Sequence, residues 1–246
     1  MSLEKYRASS LEQARTEDIL RLIPSSGNIA LDMGARDGHF SKLLAEKFNS
    51  VVALDLEVPS IKHSRIRCVK GDVLSLNFDD AYFDFVFCAE VLEHIPPLAL
   101  KKACLELARV SKDYLLIGVP YKQDIRVGRT TCYSCGGKNP PWGHVNTFDE
   151  NRLKQLFPQY GIEKISFVGK SNATTNLLST FLMDLAGNPY GTYDQDEPCI
   201  HCGKKLVPPP NRTLFKKVIT KSAFYAKKLS YCTHSNWIHV LFRKIK

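Results

Sequence analysis

The sequence has no uncharged apolar run of the roughly 18 residues that a bilayer-spanning helix needs, and MSLEKYRASSLEQARTEDIL lacks the basic-then-apolar order of a secretory signal. A soluble, cytoplasmic protein is expected. No internal repeat or heptad is visible, and the 14 glycines and 13 prolines carry no period, which argues against collagen, coiled coil and general disorder. There is no G-x-G-x-x-G turn and no Walker-type G-K-[ST], so neither a dinucleotide nor a P-loop phosphate site is expected. Acids are missing from one region altogether: all 25 Asp and Glu lie at or before Glu197, while 11 of the 34 Lys and Arg lie in 204–246. The net charge of +9 is therefore a property of the C-terminal segment, the remainder summing to 23 − 25 = −2. That segment suits an anionic partner (a membrane surface, nucleic acid or a phosphorylated substrate) or is simply a solvated face.

What is present is a 246-residue chain, 44% hydrophobic, enough for one substantial core and too short for two large domains. Ser9 or Ser10 caps a leading helix in LEQARTEDILRLI, with Leu11, Ala14, Ile19, Leu22 and Ile23 as its apolar stripe and Pro24 as its stop. The segments NIALDMG, VVALDLE, IRCVKGD, YFDFVFCAE and DYLLIGVPY read as strands, with helical DGHFSKLLAEKF after the first and LALKKACLELARV between the last two. Further on come a helix in FDENRLKQLF, a strand in IEKISFVG, a helix around Thr175 to Leu185, a basic helix and a final strand NWIHVLFRKI. Strands that are continuous apolar runs alternating with helices predict an α/β fold: a doubly wound, mostly parallel seven-stranded sheet covered on both faces. The expected organisation is a single domain over 1–246 with an N-terminal helical cap at 1–27. Insertions at 122–147 and 190–210 form one lobe, and a basic amphipathic helix spans 211–232.

In such sheets the ligand sits beyond the carboxyl ends of the strands, where a glycine turn lets backbone approach it. Asp32, Gly34 and Gly38 of LDMGARDGHF form D-x-G-x-x-x-G, and Asp55, closing the second strand, can accept both ribose hydroxyls. LDMGARDGHFSKLL, VVALDLE, VKGDVLSL, YFDFVFCAEVLEHIP and YLLIGVP resemble, in order and spacing, the successive motifs of the class I S-adenosylmethionine-dependent methyltransferases, over roughly Asn28 to Pro120. The resemblance implies the Rossmann-like methyltransferase fold and S-adenosyl-L-methionine as methyl donor. By position it puts Gly34, Ala35 and Gly38 against the methionine moiety and Asp32 near its amine. Asp55 and the adjoining Leu56 fall at the ribose, Asp72 with Val73 at the adenine, and Ala89 with Glu90 near the sulfonium. For each Asp a helix cap or turn residue is the structural alternative. One departure stands out: Arg36 occupies a position where the family often has glycine, so it must fold away from the pocket or help close it.

Methyl transfer is an in-line displacement, so much of its catalysis is alignment of acceptor, carbon and sulfur. A hydroxyl acceptor benefits from a base, and His is the usual choice near neutral pH. His94 in EVLEHI and His144 in PPWGHVNTFDE are the candidates, each with a structural alternative as a turn or loop residue, or for His144 a metal ligand. Tyr121 is a weaker candidate, and His39 in the cofactor turn faces ligand or solvent.

Cys132-x-x-Cys135-Gly and Cys199-x-x-Cys202-Gly have the form of two zinc knuckles, each putting two thiolates on one tetrahedral ion. Their separation exceeds a compact ribbon's roughly 12 to 20 residues, so the fold must bring the insertions together around one structural Zn²⁺. The lobe directly follows the fifth strand and is expected to overhang the strand ends and shape acceptor choice. Cys68, Cys88 and Cys104 read as buried hydrophobes. On a helical wheel, Leu214, Phe215, Val218, Ile219 and Tyr225 cover one arc and Lys216, Lys217, Lys221, Lys227 and Lys228 the opposite one. Packing on the core with solvated lysines is the plain expectation. The function expected is methyl transfer to oxygen of a small-molecule or carbohydrate-like acceptor. The alternatives are an RNA methyltransferase using the basic segment, which would lack an N-P-P-Y-like motif, and a non-catalytic binding module on the same fold. Nucleic acid is the less favoured partner.

Overall fold

The computed structural model describes residues 7–209, 212–230 and 232–245. Residues 1–6 of the expected cap, residue 210 of the second insertion, and residues 211 and 231 of the expected basic helix lie outside the described residues. The chain divides into two compact units. The first runs to Tyr121 and adds Phe148–Gly169 and the stretch from Ser235, and the second comprises Lys122–Thr147 and Lys170–His234. Both insertions and the basic helix fall in the second unit, which also takes in 170–189.

In chain order the elements are α1 (Ser10–Leu22), β1 (Gly27–Met33), α2 (His39–Ala45), β2 (Phe48–Asp55), β3 (Ile66–Lys70), β4 (Phe83–Ala89), α3 (Leu100–Val110) and β5 (Ser111–Pro120). The short pair β6 (Thr130–Thr131) and β7 (Lys138–Asn139) follows, then α4 (Glu150–Leu156), β8 (Tyr160–Val168), α5 (Leu177–Ala186), α6 (Leu214–Lys227) and β9 (Trp237–Lys244). The first unit's sheet has the order β3-β2-β1-β4-β5-β9-β8. The pairings among β1 to β5 are parallel, while β9 is antiparallel to both β5 and β8.

Period-two alternation sends successive residues of each strand to opposite faces, and both faces of the central strands are apolar. Leu31, Met33, Val52, Leu54 and Val86 pack with Leu100, Ala103 and Leu107 of α3 on one side. Ala30, Val51, Phe85, Phe87 and Leu116 pack with Ile19 and Leu22 of α1 and Phe40 and Leu44 of α2 on the other. Cys88 and Cys104 are buried as expected, and Cys68 is half-buried.

Ser9 caps α1, its hydroxyl accepting from the Glu12 N–H. The expected apolar stripe holds only in part, because Leu11 and Ala14 face solvent while Glu12 and Arg15 are buried. The two charges neutralise one another: Arg15 donates to Glu12 at 2.9 Å, Arg7 also pairs with Glu12, and the Arg15 guanidinium lies over the rings of Phe40 and Trp237.

In the second unit, Asn176 caps α5, a left-handed Gly187 ends it, and Thr213 caps α6. The two helices run antiparallel, since the start of α5 meets the end of α6: Asn176 donates to Ala226 O and Ser230 Oγ, and Ser179 to Ala223 O. The wheel expectation for α6 is corrected here. Its packed face is Ile219, Thr220, Ala223 and Ala226, so of the expected apolar arc only Ile219 is buried. Small residues permit the close approach of α5, and the bulky ones are left outside.

Candidate active site

β1 and β4 are neighbours, yet the strands following β1 are laid on its other side, so the winding reverses between them. Their carboxyl ends frame the crevice where open α/β sheets bind ligands. β1 runs directly into Gly34, at φ +80°, where a Cβ would lie 2.4 Å from Val91 Cγ2, closer than any side chain can come. The N–H groups of Gly34 and Ala35 both donate to Leu54 O, at 2.8 and 3.1 Å, fastening the turn to the end of β2. Gly38, also left-handed, opens α2. Arg36 takes a left-handed φ of +45° and its backbone N–H donates to Asp55 Oδ2 at 2.8 Å. The position that departs from the family thus braces the acid at the next strand end.

Asp55 is half-buried and its Oδ1 accepts from the Leu56 N–H at 2.7 Å. Two backbone donors fix the carboxylate's orientation while each oxygen keeps a lone pair for an outside hydroxyl. Gly71 N donates to Asp55 O, Asp72 Oδ1 accepts from Leu74 N at 2.9 Å, and Val73 is buried beside it. Asp32 is buried and receives the Ser41 hydroxyl at 2.5 Å. Burial, reinforced by the charges of Asp55 and Asp37 and opposed by Ser41, raises its carboxyl to about 7. Near neutral pH it is poised between neutral and charged.

Ala89 ends β4, and Glu90 follows at φ +58° with a buried Oε1 that has no partner among the described residues. Burial raises its pKa, Glu12 adding to the effect and Arg15 opposing it. Glu93, three residues on, is fully buried with both carboxylate oxygens unpartnered among the described residues, and its pKa is raised further by burial and by Glu90. Sequence reading passed over Glu93 and Ser41. The acid in EVLEHI was a signal for the first, but nothing in spacing alone marked the second. The cap helix is tied to this end of the sheet, Arg7 donating to Asp37 at 3.1 Å and Thr16 Oγ1 lying 3.2 Å from His39 Nε2. His39 therefore contacts the cap, and burial lowers its pKa.

His94 lies in the first unit, exposed at the end of a 3-10 turn after β4. Tyr121 donates to Glu150 at 2.9 Å and packs edge-on against Phe167, a structural arrangement. His144 is in the second unit, 7% exposed, its Nδ1 2.7 Å from Gln123 Oε1. A carboxamide oxygen can only accept, so Nδ1 donates in this contact.

The four cysteines of the CxxCG pairs converge within the second unit, all four sulfurs lying within 4.8 Å of one another. Cys132 to Cys202 and Cys135 to Cys199 are each 3.7 Å apart. Four thiolates at about 2.3 Å from one tetrahedral ion would be about 3.8 Å apart, whereas a disulfide would need about 2.05 Å. The two knuckles repeat one backbone pattern: Gly136 N donates to Cys132 O and Gly203 N to Cys199 O, both at 2.8 Å, with left-handed Gly136 and Gly203. Both geometry and donor set fit a four-thiolate zinc site. Two cavities of about 120 and 620 Å³ are lined wholly by residues of the second unit, among them Arg126, Arg129 and Thr175. Both cations are already paired, Arg126 with Asp124 and Arg129 with Asp184.

Residues 31–114 match the family model described as "Methyltransferase domain". The sheet is a methyltransferase fold. The ubiquinone biosynthesis O-methyltransferase of Xylella fastidiosa is 32% identical over 111 residues, covering 41% of this chain and 45% of that protein. The chain thus spans about half the length of the curated relatives it matches. Among solved structures, the N-methyltransferase NodS from Bradyrhizobium japonicum in complex with S-adenosyl-L-homocysteine superposes with a TM-score of 0.56 at 14% identity, covering 98% of this chain and 91% of that one. The 1,6-didemethyltoxoflavin-N1-methyltransferase of Burkholderia thailandensis gives 0.57 at 15% identity, covering 98% and 81%. The fold is shared, and the candidate residues Asp55 and Ala89 of this chain close its strands β2 and β4.

Proposed function

We propose that the chain is an S-adenosylmethionine-dependent methyltransferase acting on oxygen of a small-molecule or carbohydrate-like acceptor. The observation that carries this is Asp55, held by two backbone N–H groups at the end of β2 with lone pairs to spare, beside a glycine turn too crowded for side chains. The O-methyltransferase name of the sequence relatives supports the choice of oxygen.

Bound S-adenosylmethionine supplies an electrophilic methyl on its sulfonium. In this reading Asp55, with Leu56 alongside, accepts the ribose hydroxyls, while Asp72 and the Val73 backbone read the adenine edge. Asp32 becomes the carboxylate that faces the donor's ammonium, directly or through water, giving up its proton as that cation binds. Gly34, Ala35 and Gly38 let backbone lie against the methionine moiety, and Ala89 and Glu90 line the sulfonium end. His144 is one candidate to take the acceptor's proton, and His94 is the other. Cys132, Cys135, Cys199 and Cys202 hold one structural zinc. A closed four-sulfur site leaves no open coordination position, so the metal takes no part in the transfer.

The test is transfer of labelled methyl from S-adenosylmethionine into a cell extract, fractionated into RNA, protein, saccharide and small molecules, with Asp55→Ala as control. Label in saccharide or small molecules is expected. Label in a nuclease-sensitive fraction would replace the acceptor with RNA, and no Asp55-dependent label together with no S-adenosylhomocysteine binding would make the chain a non-catalytic module.

A further inference from the structure

Helix α6 is built the wrong way round for a helix that serves only to cover a core. Its packed side is Ile219, Thr220, Ala223 and Ala226, while Leu214 is 80%, Val218 64%, Tyr225 60% and Leu229, just past its end, 85% exposed. At 100° per residue Leu214, Val218 and Tyr225 fall within a 40° arc of the helix, forming one solvent-facing stripe, with Leu229 exposed in the 3-10 turn Lys228–Ser230 beyond it. Lys217, Lys221 and Lys228 are exposed along one edge of that stripe, and none of the three pairs with an acid among the described residues. The helix itself contains no acid. Its antiparallel neighbour α5 also keeps Leu177, Phe181 and Leu185 in solvent, and its one acid, Asp184, is paired with Arg129.

We infer that α6 docks this protein on an anionic lipid bilayer, its apolar stripe entering the headgroup boundary and its lysines meeting lipid phosphates. Fourteen residues of helix measure about 21 Å, and no described helix is long and apolar enough to cross a membrane, so the helix lies in the interface plane. A second copy of this chain fits the stripe poorly, because an isologous contact would set one lysine row against another with no acid on the helix to pair them. Nucleic acid fits poorly for a different reason: Leu214, Val218 and Leu229 offer no ring on which a base can stack, and the one ring within the stripe, Tyr225, already has the Lys228 ammonium over it at 5.2 Å. A bilayer satisfies both halves of the surface at once. The inference is independent of the methyl-transfer reading and uses none of its residues.

The experiment is co-sedimentation of the full chain with 100 nm vesicles of phosphatidylcholine alone or mixed equally with phosphatidylglycerol, in moderate salt. Binding is expected to the mixed vesicles and to be lost at high salt. Surface cations contribute about fivefold each, so the Lys217→Gln, Lys221→Gln, Lys228→Gln triple variant should weaken binding on the order of 10²-fold. Val218→Ser with Leu229→Ser should also release the protein. These positions are exposed, so circular dichroism and retained S-adenosylhomocysteine binding check that the variants fold. Absence of binding, or equal binding to neutral and mixed vesicles, would overturn the inference. So would light scattering that shows a dimer abolished by the Val218 and Leu229 changes, or α6-dependent retention of RNA removed by nuclease.

Discussion

The two compact units of this chain solve the problem of cohesion in opposite ways. The first sorts Leu, Ile, Val and Phe onto two sheet faces and seals them beneath α1 to α4, an ordinary apolar interior. Among its described residues the second gathers Cys132, Tyr193, Cys199 and Leu206 into a small buried cluster, packs α5 on α6 through Ile219, Ala223 and Ala226, and leaves most of the bulky residues of those two helices in solvent. A unit that keeps many apolar side chains outside needs another source of stability, and the zinc proposed on the four converging cysteines would supply it. The difference also divides the work: every proposed cofactor contact is in the first unit, and every proposed metal ligand is in the second.

Metal removal should break the comparison most visibly. Structural zinc in small domains is worth on the order of 10 kcal/mol, far more than four buried side chains can replace. Chelation, or Cys132→Ser, is expected to abolish hydrogen-exchange protection in Lys122–Thr147 and Lys170–His234 while β1 and β4 stay protected. Equal protection in both units after the metal is gone would contradict the assignment. The converse perturbation is Phe85→Ala, which removes a buried ring that stacks on Phe48 in the sheet interior. It should destabilise the first unit by about 3–5 kcal/mol in urea melts and leave metal content unchanged.

Smaller effects sharpen the cofactor site. Asp55→Ala removes the charged hydrogen bonds proposed to the ribose and should weaken S-adenosylhomocysteine binding by about 10- to 100-fold, with little change in melting. The pH dependence rests on Asp32, whose carboxyl is raised to about 7 by burial. The cationic amine of the ligand favours the charged form, so affinity should strengthen as pH rises through 7 and then level off, by about tenfold between pH 6 and pH 8. Asp32→Asn should flatten that profile, and a wild-type affinity that is flat, or that falls with rising pH, would remove Asp32 from the amine site.

Much of the first unit was legible because its strands are continuous apolar runs punctuated by glycine and acid, and because LDMGARDGHF, VVALDLE and EVLEHI stand at the right intervals. The same periodicity misplaced α1, where Glu12 and Arg15 take interior positions that hydropathy assigns to Leu11 and Ala14. Mutual ion pairing lets charge be buried, and no pattern of single residues announces it. Helix α6 misled in the reverse sense: the wheel found its apolar arc correctly, but packing used the small residues Ala223 and Ala226 instead. The CxxCG repeat announced the convergence of its four cysteines, although the extent of the unit around them depends on contacts of 170–189 that spacing does not encode. Ser41 became visible only when folding brought it to Asp32.

The most direct measurement is a calorimetric titration of S-adenosylhomocysteine into the metal-replete and the chelator-treated chain at pH 8. One site per chain, retained after chelation, is the expected result, since the proposed contacts all belong to the first unit. No stoichiometric binding in the metal-replete protein would contradict a cofactor site at the carboxyl ends of β1, β2 and β4.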